Sequence, residues 1–350
     1  MPYESELALR LTPYVAGEQP KNMKLIKLNT NENPYPPSPK VEEALKGLTE
    51  KLRLYPDMES TQLREAIAQV NGVAPENVFC GNGSDEVLAF AFAAFFAGKT
   101  VAAPDITYSF YPVYANLFGA AYKTVALKDD FTVDVEGLIQ GCPIALANPN
   151  APTGILLASG EVRRLAEHTR ANGAVLLVDE AYAAFAGESA LDLIRTYDNV
   201  LVVRTFSKSH GLAGMRVGYA MGDVNLINAL RKVRDSFNSY PVDMLAQAAA
   251  RAAILDVDYT DRVVEKINAA RDESYRRLTE AGITVLPSAT NFLFVRAAED
   301  AAPIQQALRE AGILVRHFSA PRLKAWLRVT VGTAEDMRTV TDALIRLIKG

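Results

Sequence analysis

The sequence predicts an α/β fold: a mostly parallel central sheet with helices on both faces, followed by a smaller α+β domain. Three observations predict it. From about residue 41, short apolar runs such as Ile144–Ala147, Ala174–Val178 and Val200–Val203 alternate with longer amphipathic segments, the rhythm of strands joined by crossover helices. Those runs are apolar at every position, which suits strands buried on both faces, and hence parallel pairing with right-handed connections. Around Ser239-Tyr-Pro241 the rhythm changes to a long helical stretch followed by several short strands. The expected division is an N-terminal arm over 1–40 packed on the small domain, a large domain over 41–241 and a small one over 242–350. A chain of 350 residues, 49% of them apolar, suits that arrangement.

The arm is proline-rich, with Asn29-Thr-Asn31-Glu-Asn33-Pro-Tyr-Pro-Pro as its dense part. Leu25, Ile26 and Leu28 give it something to bury, so it reads as an extended segment docked on another surface. Val41–Leu52 reads as a helix, Tyr55-Pro-Asp as a turn, and Thr61–Val70 as a helix stopped by Asn71-Gly72. Val78–Cys80 is a short strand, Gly81–Glu86 a polar loop, and Val87–Ala97 an apolar helix. Strands at Val101–Ala103, Tyr122–Leu127 and Ile144–Ala147 alternate with helices at Ser109–Phe118 and Asp134–Gln140. Ser159 caps a helix over Glu161–Ala171, whose Val162, Leu165, Ala166 and Thr169 share one face. Ala174–Val178 and Val200–Val203 are buried strands. The small domain takes a helical stretch over Val242–Ala281, strands at Ile283–Leu286, Asn291–Val295, Ile313–Val315 and Trp326–Val331, and helices at 301–311 and 334–348.

Composition excludes several classes of function. A net charge of −4 with no basic block gives no footprint for nucleic acid. Two cysteines, Cys80 and Cys142, make no disulfide framework, and three scattered histidines make no metal motif. The longest apolar run, Val87–Ala97, is too short to span a bilayer, and the first residues have no apolar signal core. A soluble cytoplasmic protein without nucleic-acid or membrane partners is expected.

Three of the strand ends carry chemistry: Asn148-Pro-Asn150-Ala-Pro-Thr-Gly154 after Ile144–Ala147, Asp179 after Ala174–Val178, and Lys208 after Val200–Val203. Val200–Val203 runs into Arg204-Thr-Phe-Ser-Lys208, with Arg216 eight residues past the lysine. Ligands of open α/β sheets sit at the carboxyl ends of such strands. A lysine partly removed from water beside another cation can attack a carbonyl as the free amine. Thr205, Ser207 and Arg216 supply the hydroxyls and bidentate fork that hold a phosphate. An amine-reactive aldehyde joined to a phosphate describes pyridoxal phosphate; the alternative is a plain strand exit with a solvated lysine. Gly81-Asn-Gly83-Ser84-Asp85 at a helix start is either a second phosphate contact or ordinary capping. Asp179, ending an apolar strand, is either the partner of a pyridinium nitrogen or a helix cap or salt-bridge partner. Tyr182 stands three residues on, within reach of a ring oxygen. Tyr108 is either a ring-stacking residue or core.

In their order and spacing these motifs resemble the fold-type-I pyridoxal-phosphate aminotransferases, and within them the histidinol-phosphate branch. The resemblance runs almost end to end through Leu11-Thr-Pro-Tyr14, Leu28–Pro34, Leu54–Asp57, Gly81–Glu86, Asn148–Gly154, Asp179–Tyr182, Arg204–Tyr219, Asn291–Phe294 and Leu327–Gly332. It implies that Lys208 holds the cofactor as an aldimine and shuttles the proton of the reaction. Asp179 pairs with the ring nitrogen, Tyr182 with the ring oxygen, and Tyr108 stacks on the ring. Ser84, Asp85, Thr205, Ser207 and Arg216 surround the phosphate, joined by Tyr55 from the other subunit of a homodimer. Tyr14, Arg316 and Arg328 match substrate-contacting positions. The implied reaction is ping-pong transamination between L-histidinol phosphate and 2-oxoglutarate, in histidine biosynthesis. Aromatic amino-acid transamination and phosphothreonine decarboxylation are the alternatives on the same scaffold. A non-catalytic, cofactor-sensing regulator would need a DNA-binding segment, and the first 40 residues have no such pattern. One position departs from the family pattern. Ala151 stands where an asparagine immediately before Pro-Thr-Gly usually bonds the ring oxygen. Either Asn150 substitutes for it, or that bond is missing and the ring oxygen relies more on Tyr182.

Overall fold

The computed structural model describes residues 3–13, 17–19 and 25–350. Eleven strands form two sheets among these residues. β1 is Ile26–Leu28, β2 Val78–Asn82, β3 Thr100–Pro104, β4 Ala121–Val125, β5 Ile144–Ala147 and β6 Leu176–Asp179. β7 is Val200–Thr205, β8 Val217–Gly222, β9 Phe292–Arg296, β10 Ile313–His317 and β11 Trp326–Thr330. The large sheet has the order β2-β8-β7-β6-β5-β3-β4. All its neighbours pair in parallel except those of β8, which runs against both β2 and β7. The mostly parallel sheet read from the sequence is present.

The apolar runs form strands because both faces are covered. Along β7, Val200 and Val202 enter one core, with Val162, Leu165 and Ala249. Leu201 and Val203 enter the opposite one, with Phe92, Tyr111 and Leu230. Each such side chain taken fully from water contributes about 1.5–3 kcal/mol, which favours this two-sided register over any slipped one. The helix Met244–Leu255 buries Ala246, Ala249, Ala250 and Ala253 in the core of the large sheet. The following helix, Val257–Glu280, packs Val263, Ile267 and Leu278 in the core of the small sheet. That second sheet has the order β1-β10-β11-β9. Its edge strand comes from the arm: Ile26–Leu28 pairs in parallel with Ile313–Val315.

Several boundaries differ from the sequence reading, each for a physical reason. The stretch Val41–Leu52 is helical only over Pro39–Leu45, and Gly47 at φ +73° turns the chain before a short 3₁₀ turn at Thr49–Lys51. The segment Val242–Ala281 is two helices, not one, broken at Asp256. The Asp256 carboxylate receives Ser38 Oγ and Lys40 Nζ from the start of another helix. Ser159 is the first helical residue, not the cap, which is Ala158. Ile283–Leu286 forms no strand and contributes one isolated bridge, Val285 to Val295. The apolar helix at Val87 begins earlier, at Gly83, and widens to a π-type turn over Phe92–Phe96. β8 and the helix Val224–Phe237 that follows it were not foreseen. No helix of the described residues is long and apolar enough to cross a membrane.

Candidate active site

Sheet topology gathers the site. Pairing Ala147 with Asp179 and Asp179 with Val203 aligns the ends of β5, β6 and β7. Thr205 pairs with Gly218, and Gly218 with Gly81, which brings the start of β8 and the end of β2 to the same rim. A cavity of about 400 Å³ opens there, lined by Ser84, Asp85, Tyr108, Ala151, Asp179, Tyr182, Thr205, Ser207, Lys208 and Arg216, with Thr30 and Glu32 from the arm. That size suits a small cofactor or substrate.

One end is built for an anion. The first turn of helix Gly83–Ala91 faces the cavity at Ser84, so its unsatisfied N–H groups and the helix dipole favour negative charge. Gly218 makes this approach possible, since a Cβ on it would lie 2.2 Å from the backbone nitrogen of Ser84. Gly83 is favoured for its backbone, at φ +80°, and an added Cβ there would also displace the Arg216 guanidinium, 2.6 Å away. Arg216, at φ +51°, donates to Asp85 Oδ2 (2.9 Å) and, through Nη1, to Ser207 Oγ (3.5 Å). Thr205 Oγ1 accepts from the Ser207 N–H at 3.1 Å. Asp85 also accepts from Tyr108 Oη at 2.7 Å. Burial, and then the Asp85 charge, push the Tyr108 phenol far up, so it stays a neutral donor.

The other end is built for a cation. Asp179 is buried at the end of β6, accepting from Tyr111 Oη (3.1 Å) and the Ala181 N–H (3.2 Å). Burial pushes its carboxyl up to about 7, with Asp85 and Glu180 adding to the rise, although both hydrogen bonds act to lower it. No cation faces it in the described residues, so a bound positive group would restore its charge.

Between the two ends stands Lys208, half-buried, its Nζ donating to the Thr30 carbonyl at 3.3 Å. Asn33 fixes the lysine's backbone by donating to the carbonyls of Lys208 (2.9 Å) and Ser209 (3.1 Å). Tyr182 lies beside it, with Nζ 5.9 Å from the ring centroid, and packs edge-on against Phe292. Its hydroxyl accepts from Asn31 Nδ2 at 2.8 Å.

Four sequence-derived residues lie elsewhere. Asn150 is turned away from the cavity: its amide donates to the Ile106 carbonyl (2.9 Å) and Thr153 Oγ1 (3.0 Å), and Ala151 takes the place at the wall. Tyr55 is 81% exposed and stacked on Tyr240, with ring centroids 4.8 Å apart, outside this chain's own cavity. Arg316 and Arg328 do not line the cavity but face each other directly across β10 and β11. Both guanidinium groups sit over the Phe318 ring, at 5.7 and 5.6 Å. Arg328 donates to the Asn29 carbonyl (3.1 Å), one residue from the carbonyl that receives Lys208. Tyr14 falls outside the described residues. Sequence reasoning missed Tyr111, which orients Asp179, and Thr30, Glu32 and Asn31, which the arm brings to the site. For the three arm residues the dense polar run 29–33 was the only signal.

A lysine at the end of a parallel strand, a buried carboxylate and an anion cradle at a helix N-terminus thus share one rim of the sheet, in a chain with the fold of the fold-type-I transferases. The chain belongs to the family of class I and II aminotransferases, whose family model matches residues 23–344. Among its relatives, the histidinol-phosphate aminotransferase of Gluconacetobacter diazotrophicus is 51% identical over 97% of this chain and 96% of its own length. That of Acetobacter pasteurianus is 50% identical, with the same coverage. The crystal structure of histidinol-phosphate aminotransferase from Sinorhizobium meliloti in complex with pyridoxal 5'-phosphate is similar, with a TM-score of 0.84. It is 30% identical, covering 93% of this chain and 91% of that one.

Proposed function

We propose that the chain is a pyridoxal-phosphate-dependent transaminase of histidine biosynthesis, transferring the amino group of L-histidinol phosphate to 2-oxoglutarate. The observation that carries this reading is the single cavity holding the Lys208 amine between the buried Asp179 and the Ser84–Arg216 anion cradle. The donor set fits the cofactor: a carboxylate for the ring nitrogen, Tyr182 for the ring oxygen, Tyr108 for the ring face, and an amine for the aldehyde. Ser84, Thr205, Ser207 and Arg216 would hold the phosphate, with Asp85 fixing the Arg216 fork. Bound there, pyridoxal phosphate supplies the carbonyl that accepts the donor's amino group and a ring that takes up the electrons released with the α-proton. Lys208 Nζ, freed as an amine, would take that proton from the α-carbon and deliver it, on the same face, to the cofactor carbon that had carried the aldehyde. The arm residues Thr30 and Glu32 line the cavity beside the lysine, and the Thr30 carbonyl receives its Nζ.

Arg316 and Arg328 are the reading's substrate anchors. The two guanidinium groups face each other across paired strands and share the Phe318 ring, which places two cationic forks together where an anionic substrate group could span them. One pair of forks can grip the phosphate of histidinol phosphate in one half-reaction and a carboxylate of glutamate or 2-oxoglutarate in the other. Replacing Arg328 with alanine is expected to lower kcat/KM for both substrates by about 100-fold, mostly through KM, as charge-assisted hydrogen bonds are lost. Steady-state kinetics with each substrate varied in turn measure it.

The reading includes a cytoplasmic homodimer in which Tyr55 reaches the phosphate of the neighbouring subunit. Tyr55 at 81%, Leu54 at 52% and Phe237 at 79% exposure leave apolar surface that a second copy would cover. It also includes the division into arm, large domain and small domain.

The test compares amino donors. Purified protein with pyridoxal phosphate should show a visible band that histidinol phosphate converts at a kcat/KM about 100-fold above that for phenylalanine, since phenylalanine lacks the phosphate dianion. Equal efficiency would favour the aromatic amino-acid enzyme, and release of carbon dioxide from phosphothreonine would favour the decarboxylase.

A further inference from the structure

The ring-oxygen side of the site lacks the asparagine that Ala151 displaces, and Asn150 is committed to Ile106 and Thr153. A different asparagine, from the arm, reaches the same place indirectly. Asn31 is 1% exposed and sits at φ +56°, a backbone region that asparagine tolerates better than most residues. Each of its polar groups has a partner. The backbone N–H donates to Thr330 Oγ1 (2.9 Å), and Thr330 Oγ1 donates to Asn31 Oδ1 (3.0 Å). The carbonyl accepts from Asn291 Nδ2 (3.1 Å), and Nδ2 donates to Tyr182 Oη (2.8 Å).

The direction of this chain follows from satisfaction of its members. Turning the Asn31 amide over would make the Thr330 hydroxyl accept twice and leave its own proton without a partner, in a site where Thr330 is 2% exposed. A buried unpaired donor is costly. With the amide as placed, Tyr182 Oη is an acceptor toward Asn31. Its own proton is offered no acceptor by the described residues and is left for the cavity.

Resting on the cofactor reading above, we propose that Asn31 is a positioning residue that commits the Tyr182 hydroxyl proton to the cofactor's ring oxygen. It thereby sets the pH at which the Lys208-bound cofactor loses its proton. The arm, β11 and the large sheet meet in this one amide, so seating of the arm and the protonation of the cofactor are linked. A donor to the ring oxygen draws electron density from it, and the neighbouring nitrogen then holds its proton less tightly. Accepting from Asn31 polarises the phenol and strengthens that donation.

The measurement is a pH titration of the visible band of the cofactor-loaded enzyme, in which the wild-type midpoint is the reference. Asn31→Gly keeps the backbone angle and removes the donor; the midpoint should rise by about one pH unit. Asn31→Asp keeps the Thr330 contact but accepts from Tyr182, drawing its proton away from the ring, and should raise the midpoint at least as far. Tyr182→Phe should raise it as well, and adding Asn31→Gly to Tyr182→Phe should change nothing more. A midpoint unmoved in both Asn31 variants overturns the proposal. So does an Asn31→Gly shift that persists undiminished in the Tyr182→Phe background. Either single variant suffices if the other does not fold. Absence of any visible band from the wild-type protein would instead remove the cofactor reading and this inference together.

Discussion

Replacing Lys208 with alanine is expected to give a folded protein that shows no lysine-bound visible band and whose kcat is lower by about 10⁴-fold or more. The size of the effect comes from one group having two tasks: holding the cofactor covalently and moving the α-proton. No other primary amine lines the cavity among the described residues. Lys27, the nearest in sequence on the arm, is held by Glu32 and Thr30. The fold should be little affected, because the Nζ makes a single hydrogen bond, 3.3 Å long and only half-buried. The space left by the side chain admits small aliphatic amines, so ethylamine should restore part of the proton-transfer rate without restoring the lysine-bound band. Absorbance spectra and single-turnover kinetics with and without the amine provide the check. A variant that kept the wild-type band would show that the amine does not hold the cofactor, and one that kept more than about a hundredth of kcat would show that it does not move the proton.

Much of this site was legible because parallel strands put their chemistry at one edge. Asp179 and Lys208 each follow a run of buried apolar residues, and once the runs are strands of one sheet their ends must be neighbours. The same local logic failed where the chain turned back. β8 contains Gly218 and Gly222 within six residues, a composition that argues against a strand by propensity. Close packing on the Ser84 backbone is what requires Gly218, and that contact crosses 134 residues of sequence from position 84 to 218. Arg316 and Arg328 were assigned only by resemblance, since their facing positions depend on the register of β10 on β11. Asn150 was misleading for a related reason: its amide chemistry suits a ring oxygen, but the loop's turn points it at the Ile106 carbonyl. Asn31 lies 151 residues from Tyr182 and 299 from Thr330. No window of sequence could show that one buried side chain joins them.

Asp179→Asn is expected to abolish most activity while making the cofactor-free protein more stable in alkaline solution, and the pH dependence separates the two effects. The folded carboxyl titrates near 7 against an ordinary value of 3.8. Between those values the folded protein retains a proton that the unfolded chain has released. The group's contribution therefore falls as pH rises from about 4, and its full penalty is reached above about 7. Asparagine carries no such penalty, but it meets the Tyr111 hydroxyl and the Ala181 N–H with one oxygen instead of two, a loss independent of pH. The wild type should consequently lose about 2–3 kcal/mol relative to the variant between pH 5 and pH 8, measured by urea unfolding of cofactor-free protein at both values. Loading pyridoxal phosphate should reverse the order, because a protonated ring nitrogen supplies the cation that the buried carboxylate lacks. Turnover should fall by about 10³-fold in the variant, since a neutral amide does not hold that nitrogen charged. A stability difference that did not change with pH would mean that Asp179 ionises as an ordinary carboxyl, and the case for its waiting on a cation would collapse.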